Sequence, residues 1–262
     1  MTREKITDEN IWITGGGSGI GRSLAQHLAD MGNYVIITGR NQQNLETTRA
    51  HDPKRIVTLP LDVTGEDVVT VAREKMKEIT DSLDRVILGA GTCEYVDDVS
   101  ELDIDLFRRV FEVNFFGMVN SVSIATPFLT NAQRRGHIIT LGSLSTVVPF
   151  PRAEAYGASK AAVNYFFDSL RMDVSGRNID VTVVSPGFVD TPLTRRNDFQ
   201  MPFLMEADEA ARIIIKGMTR REKQIIFPGK LKWLLYLGKM FPGIWFNMMV
   251  NRMAQKQGAL AK

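Results

Sequence analysis

Tyr156 and Lys160 stand four residues apart in Tyr156-Gly157-Ala158-Ser159-Lys160, a spacing that places a phenol and an ammonium on one face of a helix. A phenol with its usual pKa of about 10 is a poor proton carrier at neutral pH. A fixed cation beside it favours the phenolate and brings it toward the working range. Ser143 closes the run Gly136-His137-Ile138-Ile139-Thr140-Leu141-Gly142-Ser143. Its hydroxyl therefore belongs at the carboxyl edge of a sheet, where it can donate to a carbonyl oxygen that gathers negative charge. Capping a turn is the other ordinary use of such a serine. Asn114, within Val113-Asn114-Phe115-Phe116-Gly117, is an amide in an apolar helix and must be paired. Its partner is either a water behind Lys160 or a neighbouring backbone group.

A second constellation reads as an anion cradle. The run Ile11-Trp12-Ile13-Thr14 leads directly into Gly15-Gly16-Gly17-Ser18-Gly19-Ile20-Gly21. A glycine-rich loop between a first strand and a first helix aims unpaired backbone N–H groups at a phosphate. The spacing is Thr14-Gly15-x-x-x-Gly19-x-Gly21, with Gly17, Ser18 and Ile20 filling the loop. Gly15 permits the tight exit, Gly19 a close approach of pyrophosphate, and Gly21 close packing of the helix. At the end of the next strand a dinucleotide site places an acid for NAD or a basic group for NADP. Arg40 and Asn41 occupy that place, nineteen positions after Gly21 for Arg40, and from the second strand onward no acidic residue appears until Glu46. A guanidinium binds a 2′-phosphate that a carboxylate would repel, so the expected cofactor is NADP(H) in preference to NAD(H). Asp62 either accepts from an adenine amino group or caps the helix that starts near Glu66. Gly89-Ala90-Gly91 offers side-chain-free backbone to a cofactor, or simply a turn.

Short β-branched runs at residues 11–14, 34–38, 55–61, 85–88, 137–141, 181–184 and 224–227 read as strands. They are continuously apolar, as strands buried on both faces of a parallel sheet are. Helical segments at 20–31, 66–80, 106–129, 153–175 and 206–219 alternate with them. This predicts an α/β fold, and the glycine loop at the first turn favours an open, doubly wound parallel sheet of about seven strands, helices on both faces, over an eight-stranded barrel.

The chain has 262 residues, 44% of them apolar, and 32 basic against 30 acidic side chains. So small a net charge gives no bulk argument for nucleic-acid binding. The one cysteine, Cys93, excludes an internal disulfide framework and suits a reducing, cytoplasmic setting. No base stands near it in sequence to make it a nucleophile, and His27, His51 and His137 lack metal-ligand spacing. The charged start has no signal-peptide pattern, and no run is long and apolar enough for a simple transmembrane helix.

Together these residues resemble the short-chain dehydrogenase/reductase family, over roughly residues 8–229. The resemblance implies a Rossmann-like fold and hydride transfer between a nicotinamide and a carbonyl or alcohol. It implies that Thr14, Gly15, Gly19 and Gly21 form the coenzyme loop, that Asp62 and Val63 lie near adenine, and that Ser143, Tyr156, Lys160 and Asn114 form a catalytic tetrad. Pro186-Gly187-Phe188-Val189-Asp190-Thr191 is similar to the element whose backbone and threonine meet the nicotinamide amide, which adds Pro186, Gly187, Val189 and Thr191. The family habit of association implies a homodimer or tetramer. Two positions depart from the pattern: Gly89 replaces an asparagine, and Gly142 replaces the first serine of a pair. A nucleotide-binding sensor or scaffold of the same fold is the alternative function that Gly89 suggests.

Two apolar segments remain. Residues 188–206 are expected to form a lid over the substrate, with Phe199, Met201, Phe203, Leu204 and Met205 on its inner face. They line a pocket for a hydrophobic or lipid-like carbonyl or alcohol, or else pack the lid on its own protein. Beyond the catalytic domain at residues 1–229, a carboxyl-terminal extension covers 230–262. From Lys216 onward there are ten basic residues and one acid, Glu222. Residues 231–250 hold fourteen apolar residues of twenty, including Trp233 and Trp245, broken at Pro242-Gly243. Two short amphipathic helices on a lipid surface, a dimer contact and a flap over the pocket all fit this pattern.

Overall fold

A computed structural model describes residues 5–260, with side chains described for 5–253. Strands and helices alternate in chain order: β1 (Asn10–Thr14), α1 (Gly19–Asp30), β2 (Tyr34–Gly39), α2 (Gln42–Arg49), β3 (Ile56–Pro60), α3 (Val68–Lys77) and β4 (Arg85–Leu88). Then come α4 (Ile104–Phe111), a turn of π-helix (Glu112–Phe116), α5 (Gly117–Thr130), β5 (Gly136–Leu141), α6 (Glu154–Asp173) and β6 (Ile179–Pro186). The chain finishes with β7 (Val189–Asp190), β8 (Met205–Glu206), α7 (Ala207–Met218), β9 (Gln224–Phe227), α8 (Gly229–Met240) and α9 (Pro242–Leu260). Seven strands form one parallel sheet in the order β3-β2-β1-β4-β5-β6-β9.

The sheet is covered on both faces because its strands are mostly apolar. On one face α1 presents Leu24, Ala25, Leu28 and Ala29, which pack with Ile214 of α7 against Ile11, Ile13 and Ile37. On the other, Val122 and Ala125 of α5 and Val163 and Phe167 of α6 pack against Trp12, Val86 and Ile138. The expected doubly wound fold is the observed one. The strand order reverses between β1 and β4, and the crevice at their carboxyl ends is where such sheets take ligands.

Three local features differ from expectation. Helix α2 was invisible in the sequence because QQNLETTR buries only Leu45 and Thr48; Asn41 caps it, its Oδ1 accepting from the Asn44 N–H at 2.9 Å. The helix expected at 66–80 is confined to Val68–Lys77. The single helix expected at 106–129 is interrupted by the π-turn that carries Asn114.

At the amino-terminal edge of the sheet lies a buried polar chain. The Arg85 guanidinium donates to Glu9 through Nε (2.5 Å) and Nη2 (3.0 Å), and through Nη1 to His137 Nδ1 (2.6 Å). Thr182 Oγ1 donates to the Glu222 carbonyl (2.6 Å), so it accepts from His137 Nε2–H at 2.7 Å. That order fixes a neutral histidine. Burial first, and then the charges of Arg85, Arg221 and Arg135, hold its pKa well below the usual range.

Candidate active site

The glycine loop is shaped by close approaches that exclude side chains. Gly15 has φ of 76°, and a Cβ there would lie 2.8 Å from the Gly89 carbonyl group. A Cβ on Gly21 would lie 2.2 Å from the Gly15 oxygen, so α1 rests directly on the loop. Its outer carbonyls are tied down: Arg22 Nη2 donates to Gly17 O (2.5 Å) and Thr48 Oγ1 to Gly16 O (3.1 Å). Thr14 Oγ1 accepts from the Gly89 and Ala90 N–H groups (3.2 and 3.3 Å), joining the ends of β1 and β4. The first-turn N–H groups of α1 are left for an anion.

Beside this loop is a cavity of about 210 Å³ lined by Gly15, Gly17, Ser18, Arg40, Asn41, Asp62, Val63, Ala90 and Gly91, together with Asn44 and Leu45 of α2. Arg40 makes no ion pair or side-chain hydrogen bond with any described residue, so its guanidinium stands uncommitted at the cavity wall. Asp62 does not cap α3. Its Oδ1 accepts from the Thr64 N–H (3.1 Å) and hydroxyl (2.7 Å), which folds the loop that carries Val63. A glycine-floored cradle at a helix N-terminus, with a free cation at its rim, fits a dinucleotide. Gly19, Ile20, Gly21 and Gly89 support the cradle rather than line the cavity.

Elements from across the sheet meet the other end of the crevice. A Cβ on Gly19 would lie 2.8 Å from Thr191 Cγ2, so the segment after β6 abuts the glycine loop. Pro186 ends β6, the Gly187 N–H donates to Phe227 O (2.7 Å), and Val189 is buried in β7. Gly91 faces both Asn114 Oδ1 and Lys160 Nζ, 3.2 and 3.7 Å from where its Cβ would be.

Ser143 caps a short 3₁₀ turn just past β5, its Oγ accepting from the Ser145 N–H at 3.1 Å. The same hydroxyl stands beside the Tyr156 phenol in the first turn of α6 and favours its ionised form. Burial pushes the phenol up to about 12; the negative form of Cys93 would add to this and the Ser143 hydroxyl opposes it. Lys160 Nζ donates to the Leu141 carbonyl at 2.9 Å and lies 5.9 Å from the centre of the Tyr156 ring. Burial holds the ammonium itself at about 8. Asn114 takes the backbone alternative. Its Oδ1 accepts from the Thr92 N–H (2.7 Å), and its amide donates to Thr92 O (2.9 Å) and Ser159 Oγ (3.0 Å), so both its protons are committed.

The two departures have steric reasons. A Cβ on Gly89 would meet Thr14 O at 3.0 Å and the Leu141 side chain at 3.2 Å. A Cβ on Gly142 would lie 2.7 Å from Asn164 Oδ1, which packs into that space from α6.

Residues the motifs did not reveal line the approach to Tyr156. The Cys93 thiol bonds Tyr95, and burial raises its pKa against that bond. Tyr95 donates to Asn197 Oδ1 (2.7 Å), and its ring meets Phe199 edge-on at 5.7 Å. Arg152 lies over the Tyr95 ring at 5.3 Å while pairing with Asp97 and, at 2.8 Å, with Asp198. Of the apolar residues expected on a lid, Phe199 meets Tyr95 and Phe188 edge-on but is 39% exposed, Met205 packs on the core, and Phe203 and Leu204 are exposed. No spacing rule links these positions; only the tertiary fold brings them together.

The family model described as short chain dehydrogenase matches residues 9–201. The chain belongs to the short-chain dehydrogenase/reductases, oxidoreductases that use a nicotinamide cofactor on small-molecule alcohols and carbonyls. It is 32% identical to an uncharacterized oxidoreductase of Myxococcus xanthus, over 92% of this chain and 96% of that one. It is 31% identical to 11-beta-hydroxysteroid dehydrogenase A of Sesamum indicum, over 91% of this chain and 73% of the relative. Among solved structures, gox2181 has the same fold at a TM-score of 0.77 and 22% identity, covering 86% of this chain and 96% of that one.

Proposed function

We propose that the chain is an NADP(H)-dependent reductase or dehydrogenase of a hydrophobic carbonyl or alcohol, with Ser143, Tyr156 and Lys160 at the reacting centre. The observation that carries this reading is the meeting of the Ser143 hydroxyl, the Tyr156 phenol and the buried Lys160 ammonium at the carboxyl end of the sheet. When bound, the nicotinamide supplies or accepts the hydride. Ser143 and Tyr156 hold the substrate oxygen between two hydroxyls, which stabilises charge developing there. In reduction Tyr156 donates its proton to that oxygen. The Lys160 ammonium would favour the phenolate left behind and would hold ribose hydroxyls of a bound cofactor. Asn114 acts as a positioning residue, tying Thr92 to Ser159 on either side of the ammonium.

Arg40, uncommitted at the rim of the adenosine cavity, supports NADP(H) over NAD(H) through its affinity for a 2′-phosphate. The ring cluster of Phe199, Phe188 and Tyr95 supports an apolar substrate, as does a relative named for a hydroxysteroid. Exposed Phe116, and Tyr165 and Met172 on α6, support association with a second copy. The test is NADPH oxidation with short polar and long apolar aldehydes and ketones. Faster turnover of the long apolar members supports the reading. A preference for small polar substrates overturns the substrate class, and tight NADPH binding with no turnover across the panel points to a sensor.

A further inference from the structure

Helix α8 is apolar on two opposite sides. Leu231 and Leu235 point inward and pack with Trp245 and Met249 of α9 against Leu144 and Val148. Trp233, Leu237 and Met240 recur at the i, i+4, i+7 spacing of the opposite stripe, and they are 70%, 52% and 70% exposed. Phe241, Ile244 and Phe246, at the turn into α9, are also exposed. A monomeric surface rarely leaves so many large apolar side chains contiguous and uncovered. The hairpin is not loosely attached: the Trp245 indole donates to Pro149 O at 2.8 Å, and its ring meets Phe150 edge-on at 5.4 Å. The outward stripe therefore has a rigid base.

The charges around the stripe identify its occupant. After Glu222 the sequence has seven basic residues and no acid. Lys230 and Lys239 stand on α8, and Lys232 lies beside the exposed Tyr236 ring at 5.9 Å. Trp and Tyr among apolar side chains, fringed by lysines, suit a lipid interface, where aromatic rings sit at headgroup depth and lysines reach anionic phosphates. A two-fold contact with a second copy sets identical patches against each other, so here it would bring cations onto cations. No described helix is long and apolar enough to cross a membrane.

We infer that the α8–α9 hairpin docks the chain on the surface of an anionic phospholipid bilayer, with Trp233, Leu237, Met240, Phe241 and Ile244 inserted among the headgroups and Lys230, Lys232 and Lys239 on the phosphates. The inner face of the hairpin packs on Leu144, the residue after Ser143, so the hairpin is anchored close to the reacting centre. The inference does not depend on the proposed reaction, since its readout is binding alone.

The experiment is co-sedimentation of the full chain with vesicles of phosphatidylcholine, alone or mixed with phosphatidylglycerol, together with tryptophan emission. Pelleting with the mixed vesicles only, and a blue shift of the emission, are the expected results. A cation near such a surface is worth about fivefold in binding, so Lys232→Gln combined with Lys239→Gln should weaken it about 25-fold. Trp233→Ser with Leu237→Ser should abolish it. Neither pair packs in the core, so urea midpoints should stay unchanged and report folding independently. A chain that stays in the supernatant with the mixed vesicles overturns the inference, as do variants that sediment like the parent. So does light scattering in which Trp233→Ser with Leu237→Ser splits a dimer that bound no vesicles.

Discussion

The Lys160 ammonium donates to the Leu141 carbonyl oxygen over 2.9 Å, which ties α6 to the end of the strand that leads into Ser143. The two halves of the reacting centre, a phenol on a helix and a hydroxyl past a strand, are thus held by a bond between their parent elements. Lys160 is buried for this purpose, and burial is what lowers its pKa to about 8.

That shift has a sign that can be measured. Between pH 8 and the usual 10.5 of a lysine, the unfolded chain holds a proton that the folded chain has released. Stability therefore rises with pH on entering this range. Above 9.0 the raised pKa of Cys93 acts the other way, because the unfolded thiol ionises first. Urea midpoints of the cofactor-free protein should climb between pH 8 and 9, and Lys160→Met should flatten the climb. A parent midpoint that falls across that interval contradicts the burial argument.

Tyr156→Phe keeps the ring and removes the proton donor. NADPH binding, followed by fluorescence, should persist, while turnover drops by about 10²–10⁴-fold, the usual share of a positioned acid. Substantial surviving turnover would remove Tyr156 from the reacting centre.

Arg40→Glu reverses the charge at the cavity rim. A charge-assisted bond lost there should raise the KM for NADPH by about tenfold to hundredfold and leave NADH use unchanged or improved. Equal effects on the two cofactors would show that Arg40 does not read the 2′-position.

Arg152 clamps two segments together by pairing with Asp198 and Asp97 while adopting a φ of 65°. Arg152→Ala removes the clamp and should raise the KM for substrate several-fold. Arg152→Gly removes the clamp and the backbone strain together, so it should be more stable than Arg152→Ala by about 1 kcal/mol in urea. Equal stabilities would mean that the strain is relieved elsewhere.

Glu9→Gln leaves the buried Arg85 guanidinium without its carboxylate. Breaking a buried pair from one side costs about 3–5 kcal/mol, readable as a loss of that size in urea unfolding. The same network predicts acid sensitivity. Neutral His137 is favoured only in the folded state, so its contribution is full above 6.5 and declines as pH falls below that value.

Much of the sheet and part of the site could be read from residue order alone. Continuous apolar runs marked the seven strands because both faces of each are covered, and the glycine loop marked the crevice because close approaches of Gly89, Ile37 and Thr191 leave no room for side chains. Helix α2 escaped because only two of its eight residues are buried. The lid contacts escaped for a different reason: Tyr95, Arg152 and Asp198 are far apart in the chain, and each is an ordinary surface residue until the fold joins them. The burial of Tyr156 and Lys160 escaped because sequence spacing gives the distance between side chains along a helix but not how much water surrounds them.

The π-turn at Glu112–Phe116 has a consequence for how this chain tolerates change in length. One extra residue there advances α5 by about 100° around its axis relative to an unbroken helix. With that rotation Met118, Val122 and Ala125 meet the sheet, and Asn114 reaches Thr92. A single-codon deletion in this turn would swing fourteen downstream residues out of phase, whereas the same deletion in an exposed loop would pass unnoticed. Insertions and deletions should therefore be rarer between residues 112 and 116 than their mild composition suggests.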